Sequence, residues 1–359
     1  MHVGLVVDGP LDRTSGGYRY DRYLVSAFEE RGDDVDVISL SAASQFDESI
    51  RSRLDRPFDV LLQDELCHAT LVEHNRQLEQ PATVVAIVHN LRSDDPTVPD
   101  RSRVRTAERR YLESVDAAVC TSEDTRDRTT ALATIPTTVA PPAGRHEGPA
   151  VAPSTVEERA LDDPLRIAFV GSLVPRKGVC TLLEGLAQLD RAWQLTVVGS
   201  HEVDPAYAIR ARDRAEALEI TDRVEFTGRV PDDALETVYE RSHVLAVPSR
   251  QEGFGMVYLE GMEYGTVPIA SRVGGASEFV ADGENGFLVE PEDPARLADL
   301  VAEVDDDRER LATLGATALE TAAAHPSWDE TMTTVRSFLR DGLERGFETQ
   351  RAEDGGAET

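Results

Sequence analysis

The chain has 359 residues, 40% of them hydrophobic, and carries 67 Asp and Glu against 37 Lys and Arg, a formal net charge of -30. That length and apolar content suit two domains of ordinary size and exclude global disorder. So negative a chain is a poor partner for nucleic acid, no apolar run approaches the roughly 20 residues of a transmembrane helix, and Met1–Val7 runs straight into Asp8 as a first strand would, not as a signal peptide.

In chain order, short β-branched runs alternate with longer amphipathic stretches. Strands are predicted at Val3–Val7, Val35–Ser39, Asp59–Gln63, Val84–Val88, Ala117–Thr121 and Thr138–Ala140. Helices are predicted between them at Gly17–Arg31, Asp64–Glu79, Arg103–Ser114 and Ser122–Ala133. This βαβα rhythm implies a parallel sheet covered on both faces. The stretch Ala140–Ser154, rich in Pro, Gly and Ala, reads as a linker. A second series follows, with strands at Leu165–Val170, Gln194–Val198, Arg223–Phe226, Val244–Val247, Val267–Ala270 and Gly286–Val289. The expected architecture is α/β: two doubly wound, Rossmann-like domains whose ligands sit at the carboxyl ends of the strands. The expected divisions are residues 1–150, 151–326, a C-terminal helix over 327–347 crossing back to the first domain, and a flexible tail over 348–359.

Several residues at those strand ends could carry chemistry. Gly16-Gly17 follows the first strand, where backbone without side chains could approach a ligand closely; a plain helix-starting turn is the alternative. It is not GxGxxG, which speaks against a nicotinamide dinucleotide. His89 ends the strand Val84–Val88, as a site residue or as a structural histidine bonded to a neighbouring loop. Gly171-Ser-Leu-Val-Pro-Arg-Lys-Gly178 brings Ser172, Arg176 and Lys177 to a helix start, an anion site by charge and by dipole. Lys177 is the sole lysine of the chain. In Pro248–Glu260, Glu252 lies in a loop and Glu260 about one turn inside a helix beginning near Met256. Carboxylates suit sugar hydroxyls, and the amides of Phe254, Gly255, Met256 and Val257 suit a phosphate. The remaining histidines have no metal-site spacing, and Cys67, Cys120 and Cys180 form neither a disulfide framework nor a zinc ribbon, as in a reducing cytoplasm.

These pieces together resemble the family 4 glycosyltransferases of the GT-B fold, which are retaining and use nucleotide sugars. The resemblance runs over nearly the whole chain. It rests on Gly16-Gly17, His89, Ser122-Glu123, Arg176-Lys177-Gly178, Phe226–Pro231, Val247-Pro-Ser249, the E-x7-E pair Glu252 and Glu260, and Gly274-Gly275 to Glu278. It implies two domains facing across a cleft and transfer of a hexose-type sugar from a nucleoside-diphosphate donor. It implies catalytic roles for His89, Lys177 and Glu252, with Glu252 on the sugar, Glu260 on the ribose and Lys177 on the diphosphate. Arg229 and Val230 would meet the base, and Phe254 to Val257 would lie along the donor. The family usually has an Arg where this chain has Ser172; Arg176 is the expected substitute. No metal or cofactor is implied: Asp34-Val-Asp36, the nearest DxD motif, enters a strand and reads as solubility. The alternatives are an epimerase or hydrolase of the same fold, or a non-catalytic nucleotide-sugar-binding subunit.

The acidity with a single lysine resembles proteins of salt-in halophilic archaea, the alternative being an ordinary acidic protein. Against that background Arg101–Arg110 carries five Arg and one Glu. It could dock an anionic membrane surface or a phosphorylated lipid acceptor from the cytoplasmic side, or pair internally with the abundant carboxylates.

Overall fold

The computed structural model describes residues 1–40 and 47–347, which form two units. The expected tail over 348–359 lies outside the described residues. The first unit contains β1 (His2–Asp8), α1 (Gly16–Glu30), β2 (Asp34–Leu40), α2 (Glu48–Leu54), β3 (Val60–Asp64), α3 (His68–Asn75), β4 (Val84–Val88), α4 (Arg101–Leu112), β5 (Ala117–Cys120), α5 (Glu123–Thr130) and β6 (Thr137–Val139). Its six parallel strands lie in the order β2-β1-β3-β4-β5-β6. The central strands are buried on both faces, as a doubly covered parallel sheet requires; β4 and β5 are apolar throughout, and β3 is apolar up to Gln63 and Asp64 at its carboxyl end. Leu5 of β1 sits opposite Val37 on one side and Leu62 on the other.

The second unit contains α6 (Pro153–Ala160), β7 (Leu165–Val170), α7 (Val179–Leu186), β8 (Trp193–Val198), α8 (Pro205–Ala217), β9 (Val224–Gly228), α9 (Asp232–Arg241), β10 (Val244–Val247), α10 (Met256–Met262), β11 (Val267–Ser271), β12 (Phe287–Val289), α11 (Pro294–Asp306) and α12 (Arg308–Ala324). Its strands, again all parallel, run β12-β11-β10-β7-β8-β9. Phe169, Trp193, Tyr258 and Phe287 fill its core. The last helix, α13 (Trp328–Arg345), returns to the first unit from Asp329 on. There Arg336 forks onto the buried carboxylate of Asp33 at 2.6 and 3.1 Å, and the chain's amino terminus meets the same carboxylate at 2.7 Å. No described helix is long and apolar enough to cross a membrane.

Three local readings change. The stretch read as a linker is tied down: the units divide at Pro141, and the Glu263 carboxylate accepts hydrogen bonds from the amides of Arg145 and His146 at 2.9 and 2.8 Å. Its last residues already belong to α6, which Pro153 opens as a proline at a first helical turn can. The helix expected over Asp64–Glu79 shrinks to a 3-10 turn, Glu65–Cys67, followed by α3, because the Asp64 carboxylate caps the amide of Leu66 at 2.9 Å.

Candidate functional site

Both sheets reverse their strand order beside the first strand of the unit, β1 against β3 and β7 against β10. Loops leaving the carboxyl ends of such strand pairs diverge and leave room for a ligand. Most of the candidate site residues lie in loops at or beside these two places, with Arg229 and Val230 farther out at the end of β9.

In the second unit, β7 leads through Gly171–Gly178 and β10 through Pro248–Gly255. Gly178 sits at φ +72, and a Cβ there would stand 2.2 Å from the carbonyl oxygen of Pro248. Only glycine lets the two loops touch in this way. The contact sets Lys177 beside Glu252: Nζ lies 2.5 Å from Oε2, and the Ser249 hydroxyl donates to the same oxygen at 3.1 Å. Arg176 lies 3.8 Å from Oε1 and donates to the carbonyl of Gln251 at 2.7 Å. Gly274, at φ +102, backs the loop from the other side, where a Cβ would stand 1.9 Å from the Glu252 carbonyl oxygen. Burial pushes the Glu252 carboxyl up, but Lys177 and Arg176 outweigh it and hold it below the ordinary carboxylate range. Burial lowers the ammonium of Lys177, more than Glu252 restores. The result is a cation–carboxylate pair at the mouth of a sheet, its carboxylate buried and its ammonium largely so.

Glu260 lies inside α10, buried, with the Tyr239 hydroxyl donating to it at 3.0 Å and the Arg145 guanidinium facing it as an ion pair at 3.6 Å. Helix α10 starts at Met256, with Gly255 at its N-cap in the left-handed region. The Phe254 side chain is buried and stacks on Phe279 at 5.0 Å, so this residue has only backbone to offer a ligand. Met256 and Val257 are half-buried. Arg229 is exposed at the end of β9, and the partly buried Val230 packs on the core. Ser172 is half-buried after Gly171, where its carbonyl accepts from the amide of Val174.

In the first unit, His89 follows β4 and Gly17 opens α1 beside it. A Cβ on Gly17 would stand 3.1 Å from the imidazole Cδ2. His89 Nε2 lies 3.4 Å from Oδ1 of the buried Asp21, and Tyr20 meets the ring edge-on at 5.3 Å. Glu65 accepts from the backbone amides of His89 and Asn90 at 3.1 and 3.3 Å. Asp21, Asp64 and His89 bring donor atoms within 4.8 Å of one another. The positive charge in this cluster comes from the ring itself. Burial works against the imidazolium, but Asp21, Glu65 and Asp64 together lift it to about 10. Ser122 caps α5 by accepting from the amide of Thr125 at 3.0 Å, a structural task.

Sequence reading did not find Asp21, Asp64, Glu65, Arg145 or Tyr239, and it met Ser249 only as part of a motif. The pair Asp64-Glu65 carries a signal: two acids at the carboxyl end of an apolar strand. Asp21 carries none, being one acid among many on an amphipathic helix.

Residues 154–321 match the family model described as glycosyl transferases group 1. The chain is 32% identical over 276 residues to a D-inositol 3-phosphate glycosyltransferase of Corynebacterium glutamicum, covering 73% of this chain and 66% of that protein. It is 34% identical over 184 residues to a GDP-mannose-dependent alpha-(1-6)-phosphatidylinositol monomannoside mannosyltransferase of Mycobacterium tuberculosis, 48% of this chain and 47% of that one. The chain thus spans two thirds or less of the length of these curated relatives. Among solved structures, a sucrose-phosphate synthase from Thermosynechococcus elongatus superposes with a TM-score of 0.80 at 23% identity, covering 95% of this chain and 99% of that one. The chain has the two-domain GT-B fold, and within it residues 154–321 are similar to glycosyl transferases group 1.

Proposed function

We propose that the protein transfers a hexose-type sugar, with retention, from a nucleoside-diphosphate donor to an acceptor bearing a phosphate or other anionic group. The observation that carries this reading is the largely buried Lys177–Glu252 pair at the β7/β10 switch, within the stretch that matches glycosyl transferases group 1. A leaving diphosphate gains negative charge as the glycosidic bond breaks, and a fixed buried cation stabilises that charge. In this reading Lys177 turns from Glu252 toward the diphosphate, assisted by Arg176 and the Ser172 loop. Glu252 then accepts from sugar hydroxyls and Glu260 from the ribose. Arg229 and Val230 border the base, the backbone of Phe254, Gly255, Met256 and Val257 lines the donor, and His89 with Gly16 and Gly17 serves the reacting sugar. Among the described residues none is placed as a covalent nucleophile, and in this reading the acceptor attacks from the face the leaving group departs. The reaction needs no metal or cofactor.

The acceptor class rests on α4. Arg103, Arg105, Arg109 and Arg110 are exposed, and their guanidinium groups make no ion pair or hydrogen bond among the described residues. Most other arginines here are bonded to carboxylates or carbonyls, so internal pairing does not explain this helix. A cytoplasmic protein touching an anionic membrane or a phosphorylated acceptor through this face fits the charge. The single lysine and net charge of -30 fit a protein of haloarchaeal type that works in molar salt.

The test is mass spectrometry of products from a panel of UDP- and GDP-sugars, each with inositol phosphates, phosphoinositides and uncharged polyols. Transfer to an anionic acceptor with the anomeric configuration kept is the expected result. Turnover of donor alone would point to an epimerase or hydrolase, and donor binding without turnover to a binding subunit; either result overturns the proposal.

A further inference from the structure

Three buried carboxylates and a half-buried histidine of the first unit meet behind Gly16-Gly17: Asp21 from α1, Asp64 at the end of β3, Glu65 from the following 3-10 turn, and His89 after β4. Two of the three carboxylates are bonded to backbone amides: Asp64 accepts from Leu66, and Glu65 from His89 and Asn90. Asp21 is different. It is fully buried, neither oxygen accepts a hydrogen bond, and its ion-pair partner is Nε2 of His89 at 3.4 Å. A buried carboxylate without hydrogen-bond donors is costly unless a positive charge faces it. Nδ1 of the same ring has no protein partner among the described residues, and the His89 side chain keeps 14% of its surface exposed. One end of the ring is therefore held by the protein and the other is open.

We propose that Asp21 is a positioning residue: it holds His89 as an imidazolium with Nε2–H turned inward, so that Nδ1–H is presented as a fixed, charged donor to an oxygen of the bound nucleotide sugar. This rests on the glycosyl-transfer reading for the identity of the oxygen, but not for the state of the ring. The groups facing the imidazole are Asp21 and Tyr20 from α1, Asp64 and Glu65. On the side of β5, the Thr121 hydroxyl donates to the His89 carbonyl and carries no charge. Burial, with Asp64 adding to it, pushes the Glu65 carboxyl well above its ordinary value. Against the cost of burial, Asp21 is the largest and nearest source of counter-charge to the ring, ahead of Glu65 and Asp64. Gly17 closes over the ring, so a side chain there would displace it.

The test reads the ring directly. In the full chain at about 2 M KCl, the Cε1–H resonance of His89, assigned with His89→Gln, is followed by carbon–proton NMR from about pH 5.5 to 9. The wild-type resonance is expected to stay at its imidazolium position throughout. Asp21→Asn is expected to bring a titration into that window, a fall of about two units or more, and Asp21→Glu to return the midpoint toward wild type. In turnover, Asp21→Asn is expected to lower kcat about tenfold for each pH unit above the new midpoint, with KM for the donor within about twofold. A wild-type His89 that titrates near its ordinary value overturns the proposal, as does an Asp21→Asn protein with an unmoved midpoint or a pH-independent loss. Should the Asn variant not fold, the wild-type titration and Asp21→Glu decide alone. The NMR result needs no substrate, so absence of sugar transfer would sink the functional reading without touching this one.

Discussion

Replacing Lys177 by alanine breaks the pair on which the donor-site reading stands, and its consequences differ for stability and for rate. At 2.5 Å from Glu252 and an effective dielectric near 20, the attraction is about 7 kcal/mol before desolvation. The net cost of removing one partner of a buried pair is smaller, about 3 to 5 kcal/mol. Arg176, 3.8 Å from the other oxygen of Glu252, covers part of the orphaned charge, so about 3 kcal/mol is the better figure. For a unit of this size that is a fall in Tm of about 6 to 12 °C. Lys177→Met with Glu252→Gln leaves no charge stranded, and the double variant is expected to be more stable than the sum of the singles by at least about 1 kcal/mol. On the rate, Lys177→Ala is expected to lower kcat at least about a hundredfold, as loss of an oxyanion-type donor does. Lys177→Arg recovers part, since the planar fork needs more room. Arg176→Ala is intermediate, and Ser172→Arg partly rescues it by restoring a second cation beside the same loop. Calorimetry on the four pair variants and donor-saturation kinetics on the same samples measure both effects. Additive stabilities would refute the ion-pair argument, and near-wild-type kcat in folded Lys177→Ala would refute the diphosphate role.

The sheets were legible in the sequence because parallel strands buried on both faces are continuous apolar runs. Val84–Val88 and Val244–Val247 have no competing reading, and their bounds agree with the structure to the residue. Helix α2 was not legible: seven residues with two buried positions, Ile50 and Leu54, make too short a period to read. In the site, Glu252 and Lys177 could be placed at two strand ends, but not against each other, because strand order decides which loops meet and one sequence does not contain that order. The same holds for Asp21. Its neighbour His89 lies 68 positions away, and only the β1-β3-β4 adjacency brings them together. Arg145 was hidden for another reason. Pro and Gly around it read as slack chain, whereas Glu263 accepts from two successive amides there and fixes the guanidinium over Glu260.

Three further outcomes are expected. Between about 0.1 and 2 M KCl the Tm is expected to rise, since screening at roughly 3 Å relieves the self-repulsion of a chain with net charge -30; a flat or falling Tm refutes the halophilic reading. Turnover is expected to survive EDTA, and its loss with recovery in Mn²⁺ would show that a cation takes part in the reaction. The third outcome concerns acid. His243 is buried, its Nδ1 accepting from the amide of Arg166 at 2.8 Å and its Nε2 donating to the carbonyl of Arg159 at 2.6 Å. That arrangement accommodates only the neutral ring, and burial lowers its pKa from 6.5 to about 4. The unfolded chain therefore binds this proton first as pH falls. The contribution of His243 is fully present above pH 6.5 and is lost progressively toward pH 4, about 3 kcal/mol in all. His325, also lowered by burial, adds to the loss with the same sign. Carboxylates held below their ordinary range, such as Asp33, lose their contribution only at more acid pH, so the two effects separate along the axis. His89, lifted to about 10, acts oppositely and weakens the fold only as pH rises. Urea unfolding of wild type and His243→Gln from about pH 7.5 to 4.5 measures this. The variant is expected to be less stable at neutral pH, because glutamine reproduces the two hydrogen bonds imperfectly, yet to lose less stability across the window. Equal slopes in the two proteins would mean that His243 is already protonated in the native state, and the hydrogen-bond assignment would fall with it.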